Sequence, residues 1–221
     1  LINAIGLPNP GIGEFVKEIS EAKGALNVPL IVSVYGFEAE EYVIVARRAV
    51  HAGADAVELN VSCPHVKETG SEIGQNPRVL AEVVERVKAA VDKPVFVKLS
   101  PSVTRIAEIA EAAVKAGADA LTAINTVRAM AIDTETATPI LSNKMGGLSG
   151  PAIKPIAIRC VYEIYEQVKV PIAGCGGITN WHDAVEFLLA GASAVQIGTA
   201  VATKGPSVFK AIARGIDAYM K

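Results

Sequence analysis

The sequence predicts an α/β protein with the fold of a (β/α)8 TIM barrel, formed by a single domain over residues 1–221 whose first two βα units precede Leu1. Three observations favour this fold. A short motif recurs three times before an apolar run, proline precedes three further apolar runs, and a helical pattern follows each run. Strands that alternate with helices pair in parallel through right-handed crossovers. Six βα units result.

The recurring motif is a turn from a helix into a strand. It reads Ala-Gly-Ala-Asp-Ala at 52–56 and 116–120, and Ala-Gly-Ala-Ser-Ala at 190–194. Upstream of the second copy, apolar residues recur at helical spacing, which is typical of a helix with one buried face. Gly117 follows where that helix must end, because glycine adopts the left-handed conformation without steric cost.

Proline marks the entrance of the alternate strands. Pro29, Pro94 and Pro171 each precede an apolar run, and proline is tolerated at the first residue of a strand. An open doubly wound sheet is the alternative to a barrel. We favour the barrel because a fourth copy of the two-unit repeat would close eight strands, and about 250 residues are typical of that fold. Residues 1–11 are then the loop after the second strand, and residues 13–23 are helical.

Composition excludes several function classes. Lys and Arg number 21 against 23 Asp and Glu, so no surplus of positive charge is available to bind a phosphate backbone. The three cysteines show no paired spacing, which favours reduced thiols and a cytoplasmic protein without a metal site. The apolar runs are too short to span a membrane. We therefore expect small-molecule chemistry, with no nucleic acid or membrane partner.

Polar side chains stand at the ends of the predicted strands, where barrel enzymes build their active sites. Lys98 lies near the end of a strand otherwise made mostly of Val and Leu, and a buried ammonium needs an anionic partner or a ligand. Asn60 and Asn125 offer amide donors and acceptors that suit a planar heterocycle. The plainer alternatives are a satisfied structural lysine and asparagines that only cap their strands.

Glycines follow the last two strands. Gly176-Gly177 and Gly198-Thr199 stand where barrels frequently bind phosphate through backbone N–H groups. A phosphorylated ligand is predicted. The alternative is that these glycines only permit tight turns.

Cys63 is the candidate acid or base. It follows a strand, stands before Pro64, and precedes a polar stretch with Gly70 and Gly74 that we interpret as a lid. A thiol has a reference pKa of ~8.5, so a modest lowering would suit it to proton transfer near neutrality. Of the other cysteines, Cys160 is predicted to lie in the core and Cys175 to pack within a strand.

Taken together, these residues resemble the class 1 dihydroorotate dehydrogenases, flavoproteins of pyrimidine biosynthesis. The resemblance covers essentially the whole chain and implies a (β/α)8 barrel that binds FMN at its mouth. The motifs that carry it are Asn3-Ala-Ile-Gly-Leu-Pro-Asn9, Glu58-Leu-Asn-Val-Ser-Cys-Pro64, Val97-Lys-Leu99, Ile124-Asn-Thr126, Gly146-Gly-Leu-Ser-Gly-Pro-Ala-Ile-Lys-Pro155, Gly176-Gly177 and Gln196-Ile-Gly-Thr199.

The resemblance also implies roles for individual residues. Cys63 would remove the C5 proton of dihydroorotate while hydride leaves C6 for the flavin, and Lys98 would stabilise negative charge on the reduced flavin. The residues implied to bind orotate are Asn3, Ala4, Ile5, Gly6, Leu7, Asn60, Asn125 and Thr126. Those implied to bind FMN are Ser33, Asn60, Lys98, Ile124, Gly150, Gly176, Gly177, Gly198 and Thr199.

The segment 146–155 resembles the class 1B branch of the family. That resemblance implies a homo-oligomeric core and a second subunit that carries FAD and an iron–sulfur cluster and passes electrons to NAD. This chain has none of the cysteine spacing of an iron–sulfur site, so the cluster would belong to the other polypeptide.

Two other functions stay open at this point. His65 stands where the family usually has asparagine, and the triplet Cys-Pro-His is more similar to the pyrimidine-reducing module of dihydropyrimidine dehydrogenase. The second alternative is a non-catalytic barrel that binds a phosphorylated ligand.

Overall fold

The structure is a computed structural model that describes residues 1–61 and 73–221. In chain order, its strands and α-helices are β1 (Ile2–Asn3), α1 (Ile12–Ala25), β2 (Ile31–Val34), α2 (Ala39–His51), β3 (Ala56–Asn60), α3 (Pro77–Ala90), β4 (Val95–Leu99), α4 (Ile106–Lys115), β5 (Ala120–Ala123), β6 (Val127–Ala129), β7 (Ile132–Asp133), β8 (Thr138–Pro139), β9 (Gly146–Leu148), α5 (Lys154–Gln167), β10 (Ile172–Cys175), α6 (Trp181–Leu189), β11 (Ala194–Gln196), α7 (Ala200–Lys204) and α8 (Ser207–Tyr219).

The main sheet has six parallel strands in the order β2-β3-β4-β5-β10-β11. The order never reverses, so right-handed crossovers place the connecting helices on one face of the sheet. Successive helices from α1 to α6 accordingly pack against one another. A doubly wound sheet requires a reversal of strand order, and this structure therefore excludes that alternative.

The sheet curls strongly. Strands β3 and β11 are four positions apart, which would separate them by about 19 Å in a flat sheet at about 4.8 Å per strand. Yet the side chains of Glu58 on β3 and Gln196 on β11 are hydrogen-bonded at 2.7 Å. The face opposite the helices is therefore concave, as the inside of a barrel is.

The turns into the strands agree with the sequence analysis. Gly53, Gly117 and Gly191 follow α2, α4 and α6, and they have φ angles of 112°, 99° and 107°. Each turn leads directly into β3, β5 or β11. The left-handed conformation is reached at these positions because glycine has no Cβ.

The core lies between the sheet and the helices. Side chains alternate across a strand, so Val57 and Leu59 of β3, both fully buried, share one face while Glu58 and Asn60 share the other. The helices contribute matching apolar faces, such as Leu80, Val83, Val84 and Val87 of α3. Apolar side chains therefore hold the helical layer in place, and polar ones are left for the concave face.

A small antiparallel sheet in the order β1-β9-β6 contains the residues nearest the N-terminus. In it Asn3 pairs with Gly147, and Gly147 pairs with Arg128. The approach is close, since a Cβ on Gly147 would lie 2.3 Å from Oγ1 of Thr126. Glycine at position 147 thus allows Thr126, just before β6, to lie close against β9.

Candidate functional site

A cavity of about 520 Å³ lies at the carboxyl ends of the parallel strands. Its wall combines two lysines, Lys98 and Lys204, with polar residues at the strand ends and three turns that contain glycine. The residues that line it and were also named from the sequence are Lys98, Ile124, Asn125, Thr126, Gly150, Gly176, Gly177, Gly198 and Thr199.

Two further candidates touch this site without lining the cavity. Asn125 donates from Nδ2 to Oδ1 of Asn60 at 3.0 Å, which joins the two asparagines across β3 and β5. Ser33 donates from Oγ to Glu58 at 3.1 Å. The structure thus brings both residues to the concave face, with Ser33 one step removed from the cavity.

The structure places the segment 3–7 differently from the other candidates. Asn3 lies on β1, and its Nδ2 is 3.5 Å from the carbonyl oxygen of Gly147. Ala4, Ile5, Gly6 and Leu7 follow in a loop that does not line the cavity, and Ile5 is 70% exposed. The loop is held by Asn9, whose Nδ2 donates to the carbonyl oxygen of Leu7 at 2.9 Å.

The predictions for Cys63 and His65 lie outside the described residues. The described residues on either side are held by hydrogen bonds. Tyr42 donates from its hydroxyl to the carbonyl oxygen of Asn60 at 2.8 Å, and the backbone N–H of Gly74 donates to the carbonyl of Val61 at 2.9 Å. In the sequence, Cys63 comes three residues after Asn60, the last residue of β3.

Beneath the cavity lies a buried carboxylate that the sequence analysis did not single out. Glu58 is 4% exposed. Its Oε2 accepts from Thr122 Oγ1 at 2.8 Å and from Gln196 Nε2 at 2.7 Å, while its Oε1 lies 3.6 Å from Lys98 Nζ. Gln196 Oε1 in turn accepts from Lys98 Nζ at 3.1 Å. Four strands therefore contribute to one polar network.

This network also identifies the anionic partner that the ammonium group of Lys98 was predicted to need. The anionic partner is Glu58, so burial alone no longer requires a ligand at Lys98. The same rule that drew attention to Lys98 would have found Glu58, a charged residue within an apolar strand. Thr122 and Gln196 gave no comparable signal, because uncharged polar residues are common at strand ends.

The glycines that line the cavity differ in how closely neighbouring atoms approach the position of a Cβ. A Cβ on Gly176 would lie 2.7 Å from Cβ of Ala157, and one on Gly177 would lie 2.7 Å from the carbonyl oxygen of Gly150. Both therefore allow β10 to pack close to the start of α5. Among the described residues, nothing lies within 4 Å of a Cβ on Gly198, so packing within that part of the chain does not account for this glycine.

The turn after β10 is held by a partly buried ion pair. Asp183 on α6 accepts from Lys154 Nζ at 2.7 Å and from the backbone N–H of Thr179 at 2.9 Å. Burial acts to raise the pKa of Asp183, but these hydrogen bonds outweigh it and the pKa is lowered. The hydrogen bond to Asp183 raises the pKa of Lys154. The pair fixes the wall of the cavity at Thr179.

The two described cysteines have different surroundings. Cys160 on α5 is fully buried, in agreement with its predicted core position, and burial raises the pKa of its thiol to about 11. Cys175 ends β10 and lines the cavity, where burial also raises its pKa. Neither environment favours the thiolate that proton abstraction needs.

Other features lie apart from this site. A wider cavity of about 960 Å³ lies on the outer surface between α1 and α2, and no residue named as a site candidate lines it. Over residues 1–61 and 73–221, no helix is long and apolar enough to cross a membrane. In the same residues, no group of three His, Cys, Asp or Glu side chains is arranged to hold a metal ion.

Comparison with known proteins gives consistent matches over the whole chain. A family model described as dihydroorotate dehydrogenase matches residues 1–220. A protein of Pyrococcus abyssi named "Dihydroorotate dehydrogenase B (NAD(+)), catalytic subunit" is 55% identical over 221 residues, which is 100% of this chain and 73% of that protein. A relative of the same name from Methanothermobacter thermautotrophicus is 54% identical and has 72% of its length covered.

A solved structure agrees with the fold. The crystal structure of DHODH from Eimeria tenella in complex with ferulenol superposes with a TM-score of 0.81 at 22% sequence identity. The match covers 99% of this chain and 67% of that one. The predicted TIM-barrel fold is confirmed.

Proposed function

This chain belongs to the dihydroorotate dehydrogenase family, and from that premise we propose that it oxidises dihydroorotate to orotate with FMN as its flavin. The family is flavin-dependent and acts in pyrimidine biosynthesis. The observation that carries the proposal is the cavity at the strand ends, because it holds a half-buried lysine, a strand-end asparagine and a glycine that packing among the described residues does not explain.

The residues present fit FMN. Lys98 lines the cavity and would hold the flavin ring, while Gly150, Gly176, Gly177, Gly198 and Thr199 would hold the phosphate end through backbone N–H groups and a hydroxyl. The open space at Gly198 supports this assignment, since a phosphate can approach backbone that carries no Cβ. Ser33, Asn60 and Ile124 complete the proposed FMN site.

Asn60 and Asn125 are the proposed substrate amides. Their side chains are hydrogen-bonded to each other, and Asn125 Oδ1 accepts from the backbone N–H of Thr126 at 2.8 Å. These contacts orient the amide groups before substrate arrives, which lowers the entropy that binding must overcome. Asn3, Ala4, Ile5, Gly6 and Leu7 stay as proposed substrate contacts on the loop beside the small sheet.

The chemistry divides between the flavin and Cys63. A bound flavin supplies a two-electron acceptor for the hydride that leaves C6 of dihydroorotate. Cys63 takes the proton from C5, and the electrons of that C–H bond form the double bond of orotate. Lys98 stabilises the negative charge that reduction brings to the cavity. In the sequence Cys63 comes three residues after the end of β3, which supports its place at the same mouth as Asn60.

We further propose that electrons leave this chain through a second subunit. The relatives are named catalytic subunits of an NAD(+)-linked enzyme, which implies a partner. In this proposal the partner carries FAD and an iron–sulfur cluster and passes the electrons to NAD, and the chain itself forms a homo-oligomeric core.

Replacement of Cys63 by alanine tests the proposal. Cys63→Ala should bind FMN normally but lose substrate-driven reduction of the flavin by roughly 10²- to 10⁴-fold, the usual contribution of a general base. The rate is measured as bleaching of the flavin after stopped-flow mixing with dihydroorotate. Cys63→Ser should keep slow reduction, because a hydroxyl is a weaker base than a thiol at neutral pH.

Controls separate the alternative functions. Cys160→Ala removes a core thiol and should leave the bleaching rate as it is in the unmodified protein. Bleaching by dihydrouracil instead of dihydroorotate would favour a dihydropyrimidine oxidoreductase. A protein that binds no flavin would contradict the proposed function altogether, and unchanged reduction in Cys63→Ala would remove Cys63 from its role.

A further inference from the structure

We propose that Glu58 sets the reduction potential of the flavin by offsetting the positive charge of Lys98, with Gln196 as the connecting group. This inference rests on the proposed function, since it assumes a flavin beside Lys98. It assigns to Glu58 the role of a positioning residue, which acts through the lysine and not by contact with substrate.

The geometry of Glu58 is that of a fixed anion. Its carboxylate accepts hydrogen bonds from Ser33, Thr122 and Gln196, which lie on three different strands. The side chain is only 5% exposed, and the side chain of Lys98 is 20% exposed. Three donors occupy most of the lone pairs of the carboxylate, which fixes its position among the strands.

Gln196 connects the two charges in one orientation. A carboxylate can only accept, so the amide nitrogen of Gln196 must face Glu58 and its oxygen must face away. That oxygen accepts from Lys98 Nζ at 3.1 Å. Glu58 therefore acts on Lys98 twice, through direct attraction over 3.6 Å and through the amide that it orients.

The electrostatic consequence follows from burial. Charges in a poorly solvated interior interact far more strongly than the same charges in water. A flavin beside Lys98 gains negative charge on reduction, and the lysine favours that state while the anion behind it opposes it. The balance places the potential below the value that Lys98 alone would give, which eases the onward transfer of electrons to a partner.

The test measures the midpoint potential of bound FMN in Glu58→Gln. The amide is isosteric with the carboxylate, and the hydroxyls of Ser33 and Thr122 can rotate to accept from it. We expect the potential to become more positive, and the preference for reduced over oxidised FMN to rise on the order of tenfold, which corresponds to about 30 mV for a two-electron couple. A merely structural role would not move the potential in a defined direction.

Two matched variants complete the experiment. Glu58→Asp keeps the charge and should restore a potential close to that of the unmodified protein. Asp119→Asn removes a carboxylate that pairs with Lys88 at the opposite ends of the strands, and it should leave the potential unchanged. If Glu58→Gln does not fold, Gln196→Met removes the amide acceptor of Lys98 and carries the same expected sign.

The outcomes distinguish this inference from the proposed function. A more positive potential in Glu58→Gln, but not in Asp119→Asn, supports the role of Glu58. An unchanged or more negative potential overturns it while flavin binding and dihydroorotate oxidation stand. Failure of the unmodified protein to bind FMN would instead contradict the proposed function.

Discussion

At the scale of single residues, the glycines that line the cavity are of two kinds. Some are required by the packing of the protein, and others leave open space for a ligand. Gly177 has φ of 76° and faces the carbonyl oxygen of Gly150 at a distance that admits no Cβ. Gly198 has no positive φ, and no atom of residues 1–61 or 73–221 lies within 4 Å of the position of a Cβ there. Substitution at the first should therefore affect folding, and substitution at the second should affect ligand binding.

Gly198→Ala tests this distinction. The free energy of unfolding should stay within about 0.5 kcal/mol of its original value, because the new methyl group meets only open space. The dissociation constant of FMN should rise roughly tenfold, or about 1.4 kcal/mol, because the methyl occupies the path of the phosphate. Urea unfolding and fluorescence titration with FMN measure the two quantities.

Comparison variants make the result specific. Gly177→Ala should lower the free energy of unfolding by about 1–3 kcal/mol through backbone strain. Gly24→Ala, in helix α1 where a Cβ also meets nothing, should leave FMN binding intact. Unchanged FMN affinity in Gly198→Ala would show that this backbone does not approach the ligand.

At the scale of elements, the start of α6 stabilises the wall of the site. Asn180 caps the helix by accepting from the backbone N–H groups of His182 and Asp183, and the side chain of Asp183 returns to the backbone of Asn180. This capping box also holds Thr179, and Lys204 Nζ donates to the carbonyl of Thr179 at 3.0 Å. One helix end thus joins β10, α5 and α7 around the cavity.

The ion pair between Asp183 and Lys154 predicts that the protein loses stability at both acid and alkaline pH. The pKa of Asp183 is lowered from 3.8, so its contribution is present above about pH 4 and is lost as pH falls through the folded-state pKa. The pKa of Lys154 is raised from 10.5, so its contribution is present below that pH and is lost as pH rises through the folded-state pKa.

Asp183→Asn should reduce the dependence of stability on pH at both the acid and the alkaline end. At pH 7 its free energy of unfolding should be lower by about 1.5–3 kcal/mol, the usual contribution of a hydrogen bond to a charged group. The difference from the unmodified protein should shrink at acid and at alkaline pH, as measured by urea unfolding. Asp217→Asn, which removes an exposed pair with Lys221, serves as the control. A constant difference at all pH values would contradict the assignment.

At the scale of the whole molecule, the sequential strand order determines where stability is concentrated. Strands β3, β4, β5 and β10 are each hydrogen-bonded to a parallel strand on both sides, whereas β2 and β11 form the edges of the described sheet. The central strands are also the more deeply buried, as Val97 and Leu121 show by having no exposed surface.

Hydrogen exchange should reveal this gradient. Amides of β4 and β5 should exchange at least about tenfold more slowly than those of β2 and β11, because opening a central strand disrupts two ladders. Exchange measured by mass spectrometry on the chain of residues 1–221 provides the comparison. Equal protection in β2 and β4 would show that another segment covers the edge at β2.

Much of this architecture could be predicted from the sequence, because the signals are local. Pro94 before β4 and Gly117 before β5 mark strand entrances through the backbone conformations that proline and glycine favour. Lys98 and Asn125 could be placed at one mouth because parallel strands end at the same edge. The role of the segment 4–7 could not be predicted in this way, since its exposed loop follows no periodic pattern.

The sequence by itself determined the six βα units, their strand ends and the polar residues that stand there, because each depends on neighbours in the chain. Only the tertiary structure decided that Glu58, Lys98 and Gln196 form one network, since the hydrogen bond from Gln196 to Glu58 joins residues 138 positions apart. It also decided which glycines pack against α5 and which one opens onto the cavity. The physical reason is the curl of the sheet, which brings distant strands together over distances that no local pattern encodes.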